Sequence, residues 1–174
     1  EMDRLSERVK PDIGVITNIG TCHLENLKDR DGVLKAKTEM FNHMSKNGRI
    51  FLNGDDDKLA QIKDVRGIKP EFFGIDSKNK YYGELVNYFG VYGIRSALHY
   101  DGGVINVTIP AIGNYMISNA AVAVAVGKAL GLDDEQIKKG IENYKTVGSR
   151  DNLINTEFIS IIDDCYNANP VSVK

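Results

Sequence analysis

Apolar positions fall first into short runs separated by mixed stretches. Residues 12–18, Asp-Ile-Gly-Val-Ile-Thr-Asn, are entered through Pro11 and carry β-branched side chains, which predicts a strand buried on both faces. Residues 31–44 follow with Leu34, Met40, Phe41 and Met44 apolar, a helical pattern. A second strand is expected at 49–52, ending at the turn signal Asn53-Gly54-Asp55. Residues 57–65 read as a helix and 71–75 as a third strand. Strand–helix alternation of this kind implies right-handed crossovers and a parallel sheet.

The pattern changes between residues 81 and 112. Aromatic and β-branched residues alternate with polar ones around Asp101-Gly102-Gly103, which predicts antiparallel strands. Helices return at 118–130 and 133–144. The second opens with Asp133 and has Gln136 three residues on, a capping-box spacing. A last strand is expected at 157–162, running into Asp163 and Asp164. The expected fold class is α/β: a mostly parallel sheet flanked by helices, with a small antiparallel β portion.

Length and charge narrow the picture. The chain's 174 residues suffice for one well-buried domain with a small subdomain. A formal charge of −2 and the lack of any Lys/Arg block give no attraction to nucleic acid or an anionic membrane. The most apolar helical stretch, 120–132, is too short to span a bilayer and contains Gly127 and Lys128. Cys22 and Cys165 lack CxxC spacing, so a reducing cytoplasm is the expected compartment. The chain begins at Glu1 rather than Met, and both ends are expected to be cuts in a longer chain.

In an open parallel sheet, ligands bind beyond the carboxyl ends of the strands. The residues expected there are polar: Thr17-Asn18, Asn53-Gly54-Asp55 and Asp163-Asp164. Two adjacent carboxylates repel each other, so a cationic or polyhydroxylic group is expected to relieve the last pair. A G-x-x-x-x-G-K-[ST] phosphate loop is absent. Gly127-Lys128 is no substitute, being inside an apolar helix and followed by Ala129. His23 follows a strand end and Lys37 lies on the next helix. By residue type alone both are more often surface or packing residues.

Five segments change that weighting: "NIGTCHLENL…AKTEMF", "LNGDD", "GNYMISNAAVAVAVGKALGL", "GSR" and "IIDDCYNANPVSVK". In this order they resemble the Mur ligase family over nearly the whole chain, least between about 60 and 100. The Tyr166-Asn167-Ala168-Asn169-Pro170 run points to the branch that adds D-alanyl-D-alanine to UDP-N-acetylmuramoyl-tripeptide. The resemblance implies a central ATPase domain over residues 1–163, lacking its phosphate-loop strand, and a linker into the C-terminal ligase domain over 164–174. Alone, such a piece is expected to bind ATP weakly without turning it over.

The resemblance also implies roles. Glu1 and His23 match magnesium contacts. Lys37 matches a lysine carried as a metal-bridging carbamate by several members. Asn119 matches an asparagine near adenine, Arg150 an arginine near the ATP phosphates and ribose, and Asp164 a ribose-binding aspartate. Lys37 and His23 are therefore the expected catalytic residues, with ATP and Mg2+ as cofactors. UDP-muramoyl-peptide and D-Ala-D-Ala are the expected substrates of a monomeric enzyme that binds no nucleic acid and inserts in no membrane. Chemistry suits several of these roles, since magnesium prefers hard oxygen ligands and Arg150 offers a fixed donor fork for phosphate. Asp163 is left open between ligand contact and turn cap.

The chain departs from the family pattern twice. Tyr115 stands where G-x-H-x-x-x-N has its histidine, with Gly113 and Asn119 kept, and Cys165 replaces the serine after the aspartates. Ser118-Asn119 also fits a plain helix N-cap. Two other readings stay open: a related amide ligase acting on folate or cyanophycin, and a nucleotide-binding domain without catalysis.

Overall fold

A computed structural model describes residues 2–21, 27–148, 150 and 152–165. The elements run α1 (Met2–Val9), β1 (Ile13–Ile16), α2 (Arg30–Thr38), β2 (Arg49–Asn53), β3 (Glu71–Gly74) and β4 (Tyr81–Tyr88). They continue with β5 (Ile94–Tyr100), β6 (Gly103–Ile109), α3 (Tyr115–Ala129), α4 (Asp134–Glu142), β7 (Asn152–Asn155) and β8 (Ser160–Asp163). Strands β1 to β6 form one sheet in chain order. Neighbours from β1 to β4 are parallel, and β4–β5 and β5–β6 are antiparallel. The mostly parallel α/β class is therefore met, with the antiparallel portion built into the same sheet.

Alternation along β2 explains the layers. Phe51 faces one side, while Ile50 and Leu52 face the other. On the Phe51 side α3 contributes Ile117, Ala120, Ala121, Val124 and Ala125, and α4 contributes Ile137 and Ile141. The opposite core takes Val33 of α2, Phe41 of the 3-10 turn Glu39–Phe41, and Leu59. Burying each such side chain contributes about 1.5–3 kcal/mol. Close approach of α3 depends on Gly83, where an added Cβ would lie 2.4 Å from Ile117 Cγ2. The capping box of α4 forms as the spacing predicts: Asp133 accepts from the Gln136 N–H, and the Gln136 side chain accepts from the Asp133 N–H.

Some expectations fail for physical reasons. Residues 57–65 do not form a regular helix, since only the 3-10 turn Leu59–Gln61 is helical and Ile62 is already extended. Leu59, Ile62, Val65 and Ile68 all pack on the Phe41 side, so their spacing of three is met without a helix. Arg66 and Gly67 at positive φ then turn the chain back through the Val65–Ile68 bridge. Strand β1 is an edge of the described sheet, and Ile13 and Val15 stay partly exposed rather than buried on both faces. The strand expected at 157–162 does not join the sheet. Residues 160–163 instead pair with β7 in a separate antiparallel hairpin closed at Thr156, whose hydroxyl accepts from the Ile159 N–H. Helix α3 begins at Tyr115 after Asn114, so Ser118 and Asn119 lie inside it and are not its N-cap.

One offset shapes the top of the sheet. Strand β4 pairs with β3 only at Phe73–Tyr81 and Gly74–Tyr82. The connection between them, 75–80, is far shorter than a usual parallel crossover, and this stagger makes that length sufficient. Residues Gly83 to Tyr88 therefore run on about 20 Å past the end of β3. With β5 they form a wall beside the carboxyl ends of β1, β2 and β3.

Candidate crevice at the strand ends

The floor of the crevice is built from backbone groups held by side chains. Asn53 Nδ2 donates to Thr17 O at 2.8 Å, and Lys37 Nζ donates to Asn18 O at 2.8 Å. The next residue is held through both of its backbone groups: the Ile19 N–H donates to Asp56 Oδ2 and Ile19 O accepts from Arg30 Nε, each at 2.8 Å. Arg30 also forks onto both carboxylate oxygens of Asp57 and lies 3.6 Å from Asp56. The hydrogen bond from Arg30 is the main reason the Asp57 carboxyl sits below its ordinary pKa. Asp56 is saturated, because its other oxygen accepts from the Lys58 and Leu59 N–H groups.

Asp55 has a separate duty. It accepts from the Ile75 N–H at 2.6 Å, the Asp76 N–H at 3.3 Å and Asn79 Nδ2 at 2.8 Å, stapling the β3–β4 connection. Gly54 makes room for this, since a Cβ there would meet Asn79 Oδ1 at 1.9 Å. The carboxylates of the Asn53-Gly54-Asp55-Asp56-Asp57 run thus organise loops around the crevice. Sequence reasoning missed Arg30, Asp56 and Asp57. Their pairing joins two chain segments, and only the acidic run after the turn hinted at it.

Lys37 reaches the end of β1 from α2, and its amine also lies 3.3 Å from Asn18 Oδ1. Asn119 sits on α3, across the sheet, and lines a cavity of about 400 Å³ with Ile109, Met116, Ala120, Ile141 and Tyr144. Its amide nitrogen meets the Met116 sulfur at 3.5 Å, a weak acceptor. The neighbouring Ser118 hydroxyl is buried without a hydrogen-bond partner. The cavity lining is mostly apolar, and Ser118 is not part of it. Arg150 is exposed ahead of β7, and Asp164 is exposed just after β8. Asp163 accepts from Cys165 Sγ at 3.1 Å.

Glu1, His23 and Tyr166 to Pro170 lie outside the described residues. Among the described residues no group of three or more His, Cys, Asp or Glu could hold a metal ion. No helix among them is long and apolar enough to cross a membrane.

An open, mostly parallel sheet with polar groups along the carboxyl edge of β1 to β3 defines an α/β domain whose crevice lies at the strand ends. Residues 1–127 match the Mur ligase middle domain, and the chain belongs to that family. It is 33% identical to the UDP-N-acetylmuramoyl-tripeptide--D-alanyl-D-alanine ligase of Bacillus subtilis (strain 168), over 100% of this chain and 37% of that protein. MurF from Acinetobacter baumannii matches with a TM-score of 0.89 at 33% identity, over 99% of this chain and 38% of its own. The MurF ligase from Thermotoga maritima in complex with ADP matches with a TM-score of 0.83 at 25% identity, over 98% of this chain and 39% of its own. The chain therefore spans little more than a third of these relatives.

Proposed function

We propose that this chain is the ATP-handling part of a ligase that joins D-alanyl-D-alanine to UDP-N-acetylmuramoyl-tripeptide in peptidoglycan synthesis. The observation that carries the reading is the 33% identity over the whole chain to a ligase of that name. When bound, ATP would supply a phosphoryl group to the tripeptide carboxylate with release of ADP, and the dipeptide amine would displace phosphate from that acyl phosphate to give the amide. Asn119 would hold the adenine, Arg150 the phosphates and Asp164 the ribose. Glu1, His23 and Lys37 would hold magnesium, with Lys37 as a carbamate supplying hard oxygen ligands. A carbamate keeps one N–H, enough to retain the bond to Asn18 O. Residues 1–163 would form the central domain and 164–174 the link to the next, in a monomeric cytoplasmic enzyme.

The test is ADP release by the intact ligase with different acceptor pairs. Release is expected with UDP-muramoyl-tripeptide and D-Ala-D-Ala together. Release with a folate and glutamate pair instead would replace this reading with that of a folate-type ligase.

A further inference from the structure

We infer that Arg30, Asp56 and Asp57 form a positioning clamp that fixes the Asn18–Ile19 backbone and thereby sets where the Lys37 amine sits. The inference rests on the proposed ligase reading and adds residues to which nothing assigns a role. Thr17 O, Asn18 O, Ile19 N and Ile19 O each have a side-chain partner, drawn from Asn53, Lys37, Asp56 and Arg30. Ile19 itself is only 2% exposed in the Phe41-side core, so its peptide is anchored from below as well.

Fold stability alone does not account for the outer half of this device. The Asp57 side chain is 65% exposed and that of Arg30 34%. A pair so open to water adds little to stability. What the planar fork does supply is direction: bidentate seating on Asp57 aims Nε at Ile19 O. Asn18 O is one peptide away and is the acceptor of Lys37. A misplacement of about 1 Å in such a supporting group is enough to cost on the order of a hundredfold in rate. Arg30, Asp56 and Asp57 are positioning residues, acting on Lys37 through the backbone.

The test uses the intact ligase with Asp57→Asn and Arg30→Lys, which keep size and, for Arg30, charge. Each is expected to lower kcat at least tenfold, to leave KM for ATP within about twofold, and to move the melting temperature by no more than about 3 °C. The free Mg2+ concentration giving half-maximal rate should rise several-fold. The same substitutions made on Lys37→Ala, assayed with a small carboxylate added to restore turnover, should have little further effect, since the residue they position is gone. Unchanged kcat in both variants, or a full tenfold loss persisting on Lys37→Ala, would overturn the clamp. Failure of the unmutated ligase to join D-Ala-D-Ala is a different outcome and sinks the ligase reading. The clamp is then decided by hydrogen exchange, which must speed up at the Ile19 amide in both variants if it exists.

Discussion

Lys37 and Asp164 carry the sharpest expectations at the scale of single residues. Lys37 donates to two oxygens of Asn18 from a half-buried position on α2. Replacing it with alanine in the intact ligase should cut turnover by at least about a hundredfold, and added formate or acetate should restore part of it. Carbon-13-labelled carbon dioxide should give a carbamate signal in the metal-loaded wild type that Lys37→Ala lacks. Full activity in the alanine variant would leave Lys37 an ordinary helix lysine. Asp164 is exposed after β8 and carries the proposed ribose contact. Asp164→Asn should raise KM for ATP about tenfold and lower kcat less, because a ribose contact is common to ground and transition states. An unchanged KM for ATP would assign the acidic pair to hairpin geometry.

Elements show how far sequence could be read. The capping box at Asp133 and Gln136 was legible because both partners lie within one turn of helix. The antiparallel strands between 81 and 112 were legible because their periodicity is local. Residues 57–65 were misread because an apolar spacing of three also suits a loop laid across a core. Strand β8 was misassigned because an apolar run does not name its partner strand. Lys37 and Asn119 stood out by family resemblance alone, whereas the Arg30 clamp needed three dimensions. The Asp55 staple is equally non-local and gives an element-scale prediction. Asp55→Ala should destabilise the domain by about 1–2 kcal/mol and speed hydrogen exchange at the Ile75 and Asp76 amides. Unaltered exchange there would mean that the 75–80 connection holds its shape without Asp55.

Acid response belongs to the whole molecule. Burial would raise the Glu71 carboxyl, but hydrogen bonds from Lys80 and Arg49 outweigh it and hold Glu71 low. Asp57 is lowered mainly by Arg30, Asp134 by Lys128 and Asp3 by Asn42. For each, the folded pKa lies below the unfolded one. The stabilisation is therefore complete above the ordinary carboxylate value of about 4 and is lost as pH falls through the folded values. The urea midpoint should hold from neutrality to about pH 5 and then decline, mostly through Glu71, since the exposed pairs add little. Salt should blunt the part due to the exposed pairs, Arg30–Asp57 and Lys128–Asp134. A midpoint already falling between pH 7 and 6 would point to histidine in place of these carboxylates.

The stagger of β4 beyond β3 makes that part of the sheet a cantilever. At its root, Tyr81 and Tyr82 pair with β3, and Tyr82 pairs with β5 on its other side. Past Tyr82, β5 is the only strand paired with β4 among the described residues, and the register slips between Leu85 and Asn87. Leu85, Val86, Tyr88, Phe89 and Tyr92 ride on the free end, all 43–69% exposed. Stiffness should therefore grade along a single strand. Amide exchange along β4 should quicken stepwise from Tyr82 to Tyr88, and uniform protection would show the free end braced by something else. A bulky substrate entering the crevice would meet a rim that bends while the floor beneath it stays fixed.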